Sequence, residues 1–202
     1  EKWGNGTLLF AGTANTYAST VINQSTPLTA TSIVGSLTRT GTPFGNGPIM
    51  INPGGHLRIA DASNIATNAV TLRSDGAALG GLSIAYNSTA PISDLFGAGP
   101  GKVNISSTGD FRGVIALDIN NYINPVDMTA LETAAGGKLW LGTSIPTNYF
   151  ARTLTPGSDN VYRLGGGGNQ GNLIIGAGSF ANVLTGNATV QIGAMTAGLN
   201  PN

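Results

Sequence analysis

A short unit recurs along this chain and limits what it can fold into. Written as aliphatic, any residue, aliphatic, three turn-type residues, glycine and then an apolar residue, it reads Ile49, Ile51, Gly55, Leu57. It returns as Val103, Ile105, Gly109, Phe111 and, more loosely, as Val70, Leu72, Gly76, Leu79. The fullest copy, from Gly45 to Ile59, places two short alternating patterns on either side of Pro53-Gly54-Gly55. A unit with one or two strands and one glycine corner cannot bury its apolar face alone, so it must stack on copies of itself. The pattern predicts an all-β chain, a right-handed parallel β-solenoid running over residues 1–202 as one array.

Composition agrees with many corners and few charges. Glycine is 31 of 202 residues and charged residues are 9%, well below the level of an ordinary globular domain. Without a Gly-X-Y period such glycine excludes collagen, and 41% apolar residues argue against disorder. Nine basic residues balance nine acidic ones, so the charge implies no nucleic-acid surface. With no cysteine there is no disulfide framework, no thiol chemistry and no Cys-ligated metal. No apolar run approaches the ~20 residues that span a bilayer. The start, Glu1-Lys2-Trp3, has neither an initiating Met nor a signal peptide, which reads as a processed product or a fragment of something longer.

Strand signals lie at 3–10, 19–23, 49–51, 55–59, 68–73, 82–86, 102–106, 114–120, 138–141, 160–164, 173–175 and 189–192. Residues 28–44 read as a strand followed by a protruding loop, and Pro91 to Gly101 as a second loop. One segment differs. Asn124 as N-cap, Pro125 at the first helical position and Gly136-Gly137 at the end predict a short decorating helix near 125–135, with Val126, Ala130, Leu131 and Ala134 on its inner face. The array ends at Asn200-Pro201-Asn202 without a polar capping element.

In residues 4–23 a Gly-x-Gly-Thr-Leu strand is followed by Gly12, Asn15-Thr16-Tyr17 and Thr20-Val21-Ile22-Asn23. This resembles the autotransporter passenger-associated strand repeat, and residues 45–59 resemble the stretch that often follows it. The expected Gly-Gly after Tyr17 is here Ala18-Ser19, and the expected Gly-Thr-Leu is Gln24 to Leu28, departures that suggest a widened corner. The resemblance implies a β-helical protein of the bacterial cell surface or the extracellular space, of the kind found in autotransporter passengers.

Candidate chemistry is sparse. The single histidine, His56, beside Gly54-Gly55, reads as a structural corner or surface residue. Polysaccharide cleavage needs clustered carboxylates, whereas the nine acids are scattered; Asp75 and Asp110, next to Gly76 and Gly109, form the one pair that stacking could bring to a shared face. Aspartate beside glycine is also what a plain turn asks for. Gly165 to Gly168 lacks the Gly-Lys-Ser/Thr of a phosphate cradle and the aspartates of a calcium-binding roll. Seven aromatics (Trp3, Tyr17, Tyr86, Tyr122, Trp140, Tyr149 and Tyr162) would be sugar platforms in one groove or, more simply, coil filling. Asn-x-Ser/Thr matches at Asn5, Asn23, Asn87, Asn104 and Asn187 matter only under glycosylation.

The sequence thus predicts no catalytic residue, no cofactor and no metal. It predicts a structural module that self-associates, or joins neighbouring repeats, end to end as a filament, stalk or matrix. The alternatives are an adhesin meeting glycans or a host surface through loops 26–48 and 87–101, and a glycan-active enzyme using Asp75 or Asp110. The predicted core is Ile49, Ile51, Leu57, Val70, Leu72, Val103 and Ile105. At ~4.8 Å per coil and ~20 residues per coil the rod would be roughly 40 to 50 Å long.

Overall fold

The structure, a computed structural model, describes residues 1–2, 6–23, 32–75, 78–165, 171–176 and 183–193. In chain order the strands are β1 (Gly6–Phe10), β2 (Thr20–Ile22), β3 (Ser32–Ser36), β4 (Ile49–Ile51), β5 (Gly55–Ile59), β6 (Ala69–Ser74), β7 (Gly81–Ile84) and β8 (Lys102–Ser107). They continue as β9 (Phe111–Leu117), β10 (Asn121–Tyr122), β11 (Val126–Asp127), β12 (Lys138–Gly142), β13 (Pro146–Tyr149), β14 (Leu154–Thr155), β15 (Val161–Leu164), β16 (Asn172–Ile175) and β17 (Thr189–Ile192). The single α-helix, α1 (Met128–Ala135), lies between β11 and β12.

Every strand pair is parallel, so the chain must travel round a closed path between successive partners. One eight-stranded sheet, β1-β3-β5-β7-β9-β12-β15-β17, runs along the whole array. A second sheet, β2-β4-β6-β8, accompanies its first half, and two smaller ones, β10-β13-β16 and β11-β14, accompany the rest. This is a parallel β-solenoid. A step along the long sheet takes from 23 residues (Ile33 to His56) to 33 (Gly81 to Val114). Coils are therefore longer than the sequence suggested, and eight strands at ~4.8 Å give a sheet of only about 34 Å. The extra length sits in the corners, which hold two 3-10 turns, Ala62–Ile65 and Ile92–Leu95, and α1.

Registration down the long sheet produces one unbroken aliphatic ladder: Leu8, Val34, Leu57, Leu82, Ile115, Leu141, Leu164 and Ile192. Val34 to Leu141 are fully buried, while the end members Leu8 and Ile192 are 43% and 80% exposed. The second sheet adds the ladders Ile49-Val70-Val103 and Ile22-Ile51-Leu72-Ile105. Six of the seven predicted core residues are fully buried; Ile105 is only partly so and packs on the margin. Burying one such side chain is worth about 1.5–3 kcal/mol, so repetition along the axis supplies the stability.

The corners hold themselves by side-chain amides reaching into the next coil. Asn68 donates to the Gly45 and Gly47 carbonyls, and Asn64 accepts from Ala60 and Asp61 N–H while donating to the Thr38 carbonyl. Asn52 donates to Asn23 at 2.6 Å. Such bonds satisfy buried backbone groups that no ladder reaches.

Three expectations change. The predicted protruding loops are anchored by buried side chains: Phe44 is fully buried, Ser63 ties the 38–41 segment at the Arg39 carbonyl, and Ile92, Leu95 and Phe96 are buried in 87–101, while 39–41, 89–91 and 97–100 stay exposed. Residues 26–31, part of the first loop, fall outside the described residues, as do Trp3, Gly76, Gly166–Gly168 and the 194–202 end. The helix starts later than Asn124, because Val126 and Asp127 are drawn into pairing with Leu154 and Thr155. Asp127 is the N-cap, accepting the Ala130 N–H at 3.0 Å, and Gly136 at φ 69 ends the helix. Its buried face is accordingly Met128, Leu131 and Glu132, with Ala134 exposed. Phe111 does not join the ladder either. It packs on Trp140, ring centroids 5.9 Å apart, in a second cluster with Leu79 and Val114 on the other side of the sheet.

Ile51→Asp places an unpaired charge in a fully buried ladder, a cost of several kcal/mol against a total stability of about 5–15 kcal/mol, and abolishes the folded state. Ile105→Asp, on the half-exposed margin, folds with a lowered melting temperature. Circular dichroism melts of both variants check this; an Ile51→Asp protein melting like the parent contradicts the inward assignment.

Candidate functional site: the charged cleft beside the helix

In a chain this poor in charge, the place where charges converge stands out. Asp110 lies in the corner before β9, Arg112 in β9, Glu132 in α1, Lys138 at the start of β12, Asp159 in the corner before β15 and Arg163 in β15. Stacking of successive coils brings them together: the Asp110 carbonyl accepts the Lys138 N–H at 3.0 Å.

At the back of the group is a buried ion pair. Arg163 Nη1 donates to Glu132 Oε1 at 2.8 Å, and both side chains are 3% exposed. Glu132 Oε2 accepts from the Ser158 N–H at 2.9 Å and from the Ser158 hydroxyl at 3.1 Å. Both carboxylate oxygens are thus engaged. Only glycine fits at position 157, where a Cβ would stand 2.6 Å from the Glu132 carboxylate. The clamp ties α1 to a corner one coil further along; a buried pair of this kind is costly to break one-sidedly because a lone charge remains. Arg163 also donates to Asp159, which Lys138 approaches at 3.4 Å. The Arg163 hydrogen bond, with help from Lys138, holds the Asp159 carboxyl below its usual range.

In front lies a cleft of about 520 Å3 lined by Asp110, Arg112, Glu132, Thr133, Lys138 and Ser158, together with Gly136 and Gly137. Arg112 is held by two carbonyls, Gly136 through Nε at 2.9 Å and Ser107 through Nη1 at 3.2 Å. The arrangement offers hydrogen-bond donors and acceptors fixed in place. A cleft of about 360 Å3 between Ser88–Ser93 and Asn124–Leu131 flanks the other side of the helix.

The two aspartates named from sequence part company. Their corners stack, since Ser74 pairs with Ser107. Asp75 accepts the Ala78 N–H at 2.7 Å within its own turn, whereas Asp110 lines the cleft. Among the described residues no three His, Asp or Glu side chains are grouped to hold a metal. Tyr122 and Tyr149 stack inside the coil at 6.1 Å and 17°, and burial pushes the Tyr149 hydroxyl up to about 12 and raises Tyr122 further still. These rings, with Tyr86, Trp140 and Tyr162, are buried, whereas Tyr17 lines a hollow at the β1 end. The Glu132–Arg163 pair went unseen in the sequence because 31 residues separate its members; the one local signal was an acid adjoining Leu131 on an otherwise apolar helix face.

His56 is not on the surface. It is fully buried in β5, its ring lying over Gly81, where a Cβ would come within 2.2 Å of the imidazole. Neither ring nitrogen, nor the buried Ser83 hydroxyl, has a hydrogen-bond partner, so the two form no nucleophile and base pair. Burial lowers the His56 pKa to about 4, against a smaller opposing field from Asp118.

Compared with known protein families, curated proteins and solved structures, the chain matches none.

The folded chain binds the His56 proton less tightly than the unfolded chain does. Stability is therefore complete above pH ~6.5 and is lost as pH falls towards about 4. The loss is on the order of 3 kcal/mol from this group. Urea titrations between pH 7 and pH 4 measure it, and His56→Gln flattens the profile; an equally steep profile in the variant contradicts the assignment.

Proposed function

We propose that this chain is a structural module, displayed outside the cell or on a bacterial surface, whose coils join end to end with coils of the same kind. The observation that carries this reading is the aliphatic ladder whose two end members, Leu8 and Ile192, occupy inward positions and are exposed. Among the described residues no strand pairs with the outer edge of β1 or of β17. Because all strands run parallel, these edges are complementary: β17 of one array continues into β1 of another in the same sense. Such a head-to-tail contact does not close on itself and propagates as a filament. Partners are therefore further coils, in the same chain or in another copy.

Three further features support the reading. A hollow of about 310 Å3 at the β1 end, lined by Leu8, Phe10, Tyr17, Val21 and Val34 among others, receives an apolar end. At the other end Val190 and Ile192 are exposed, with Leu173 and Ile175 half-buried. The strand and glycine pattern of residues 4–23, similar to autotransporter passenger repeats, fits a surface location, and a fold free of cysteine needs no redox control outside the cell. The role is mechanical and not catalytic.

Electron microscopy of the purified chain across a concentration series tests the reading. Rods lengthen with concentration, and Leu8→Asp or Ile192→Asp keeps them short by placing a charge in the joint. Rods of one short length at every concentration, or growth untouched by both variants, would overturn it.

A further inference from the structure

The cleft beside α1 holds an unused acceptor among fixed donors. Asp110 and Lys138 leave from neighbouring strands, since Lys138 pairs with Phe111, yet the Lys138 ammonium lies 3.4 Å from Asp159 and makes no ion pair with Asp110. Arg112, two residues on, has its guanidinium fixed by the Ser107 and Gly136 carbonyls. Among the described residues the Asp110 carboxylate enters no salt bridge, although two cations line the same cleft. Behind them the buried Glu132–Arg163 clamp fixes the wall, so these groups are held before any ligand arrives.

The chemistry of the lining selects the ligand. Asp110, Glu132 and Asp159 are matched by Arg112, Lys138 and Arg163, so the cleft with its back wall has no net charge and an anion or a cation meets as much repulsion as attraction. What fits a carboxylate acceptor next to ammonium and guanidinium donors is a neutral molecule whose adjacent groups both donate and accept. Vicinal hydroxyls of a sugar ring have that property, and about 520 Å3 accommodates one. We propose that this cleft binds a neutral saccharide, with Asp110 accepting from neighbouring hydroxyls and Arg112 and Lys138 donating to their oxygens. Thr133 of α1 and Ser158 of the corner before β15 complete the polar lining. The site lies on the flank of the array, so it does not depend on end-to-end joining and stays open when coils stack.

The test is an amide-resolved NMR titration of the whole chain with methyl glycosides of glucose, galactose and mannose. Cellotetraose serves as the polysaccharide probe and glucuronate as the charged control. At least one neutral probe gives saturable shifts confined to residues 109–112, 132–138 and 157–159. A response to a methyl glycoside marks a terminal or free sugar as the source, and one to the tetrasaccharide alone marks a glycan chain; either supports the site. Asp110→Asn removes a charge-assisted bond and weakens binding about tenfold or more, while Asp94→Asn, an exposed acid outside the cleft, leaves it unchanged. No saturable shift with any neutral probe, glucuronate binding more tightly than the glucoside, or an unaltered affinity in Asp110→Asn each overturns the proposal. Filament length plays no part in the readout, so failure here is distinct from failure of the stacking reading.

Discussion

Everything in this molecule depends on stacking along one axis. A single coil has two or three strands of two to seven residues, and these strands have no strand partner within the coil. The strands' N–H and C=O groups are satisfied by the coils above and below, and the inward apolar residues are buried when the same position is apolar in the neighbouring coils. The ladder from Leu8 to Ile192 meets both requirements at once, because parallel register aligns hydrogen bonds and side chains together. A change of cross-section halfway along, from two sheets to three, leaves this ladder intact.

Corners carry the variety. They tolerate insertion because the strands on either side are already held by their neighbours, and that is why coil length ranges so widely. Asn64, Asn68 and Asn52 each bond into an adjacent coil, which lets turns differ in length without leaving backbone groups unpaired. The helix α1 is fixed by Glu132 on Arg163 and Ser158 and thereby forms a cleft in which this charge-poor chain gathers charged side chains. Architecture and candidate site are thus separable: the ladder makes the rod, and a corner makes the cleft.

What the sequence revealed was whatever has a local cause. Alternation at Ile49, Ile51, Val70 and Leu72 placed strands and their inward faces correctly, because a period of two leaves no choice of face once one side is buried. The helix was legible from its composition, but its start was not: Asn124 and Pro125 carry good local signals that lose to the pairing of Val126 with Leu154, a contact 28 residues away. Phe111 and Leu79 matched the repeat pattern yet face the outer cluster with Trp140, since the pattern does not record an irregular register, and β12 meets β9 with a shift at Lys138. His56 beside a glycine corner looked like a turn residue; its burial over Gly81 arises from the next coil. The cleft was invisible for the same reason, being assembled from residues of α1, β9, β12 and the corners beside them, which meet only after stacking.

The measurement that tests axial dependence most directly is native-state hydrogen exchange resolved by strand. If each coil is stable only through its neighbours, protection is greatest in β5, β7, β9 and β12 and declines towards β1 and β17, and Leu82→Ala lowers protection in β5 and β9 as well as in β7. Uniform protection along the sheet, or a Leu82→Ala effect confined to β7, would contradict the account.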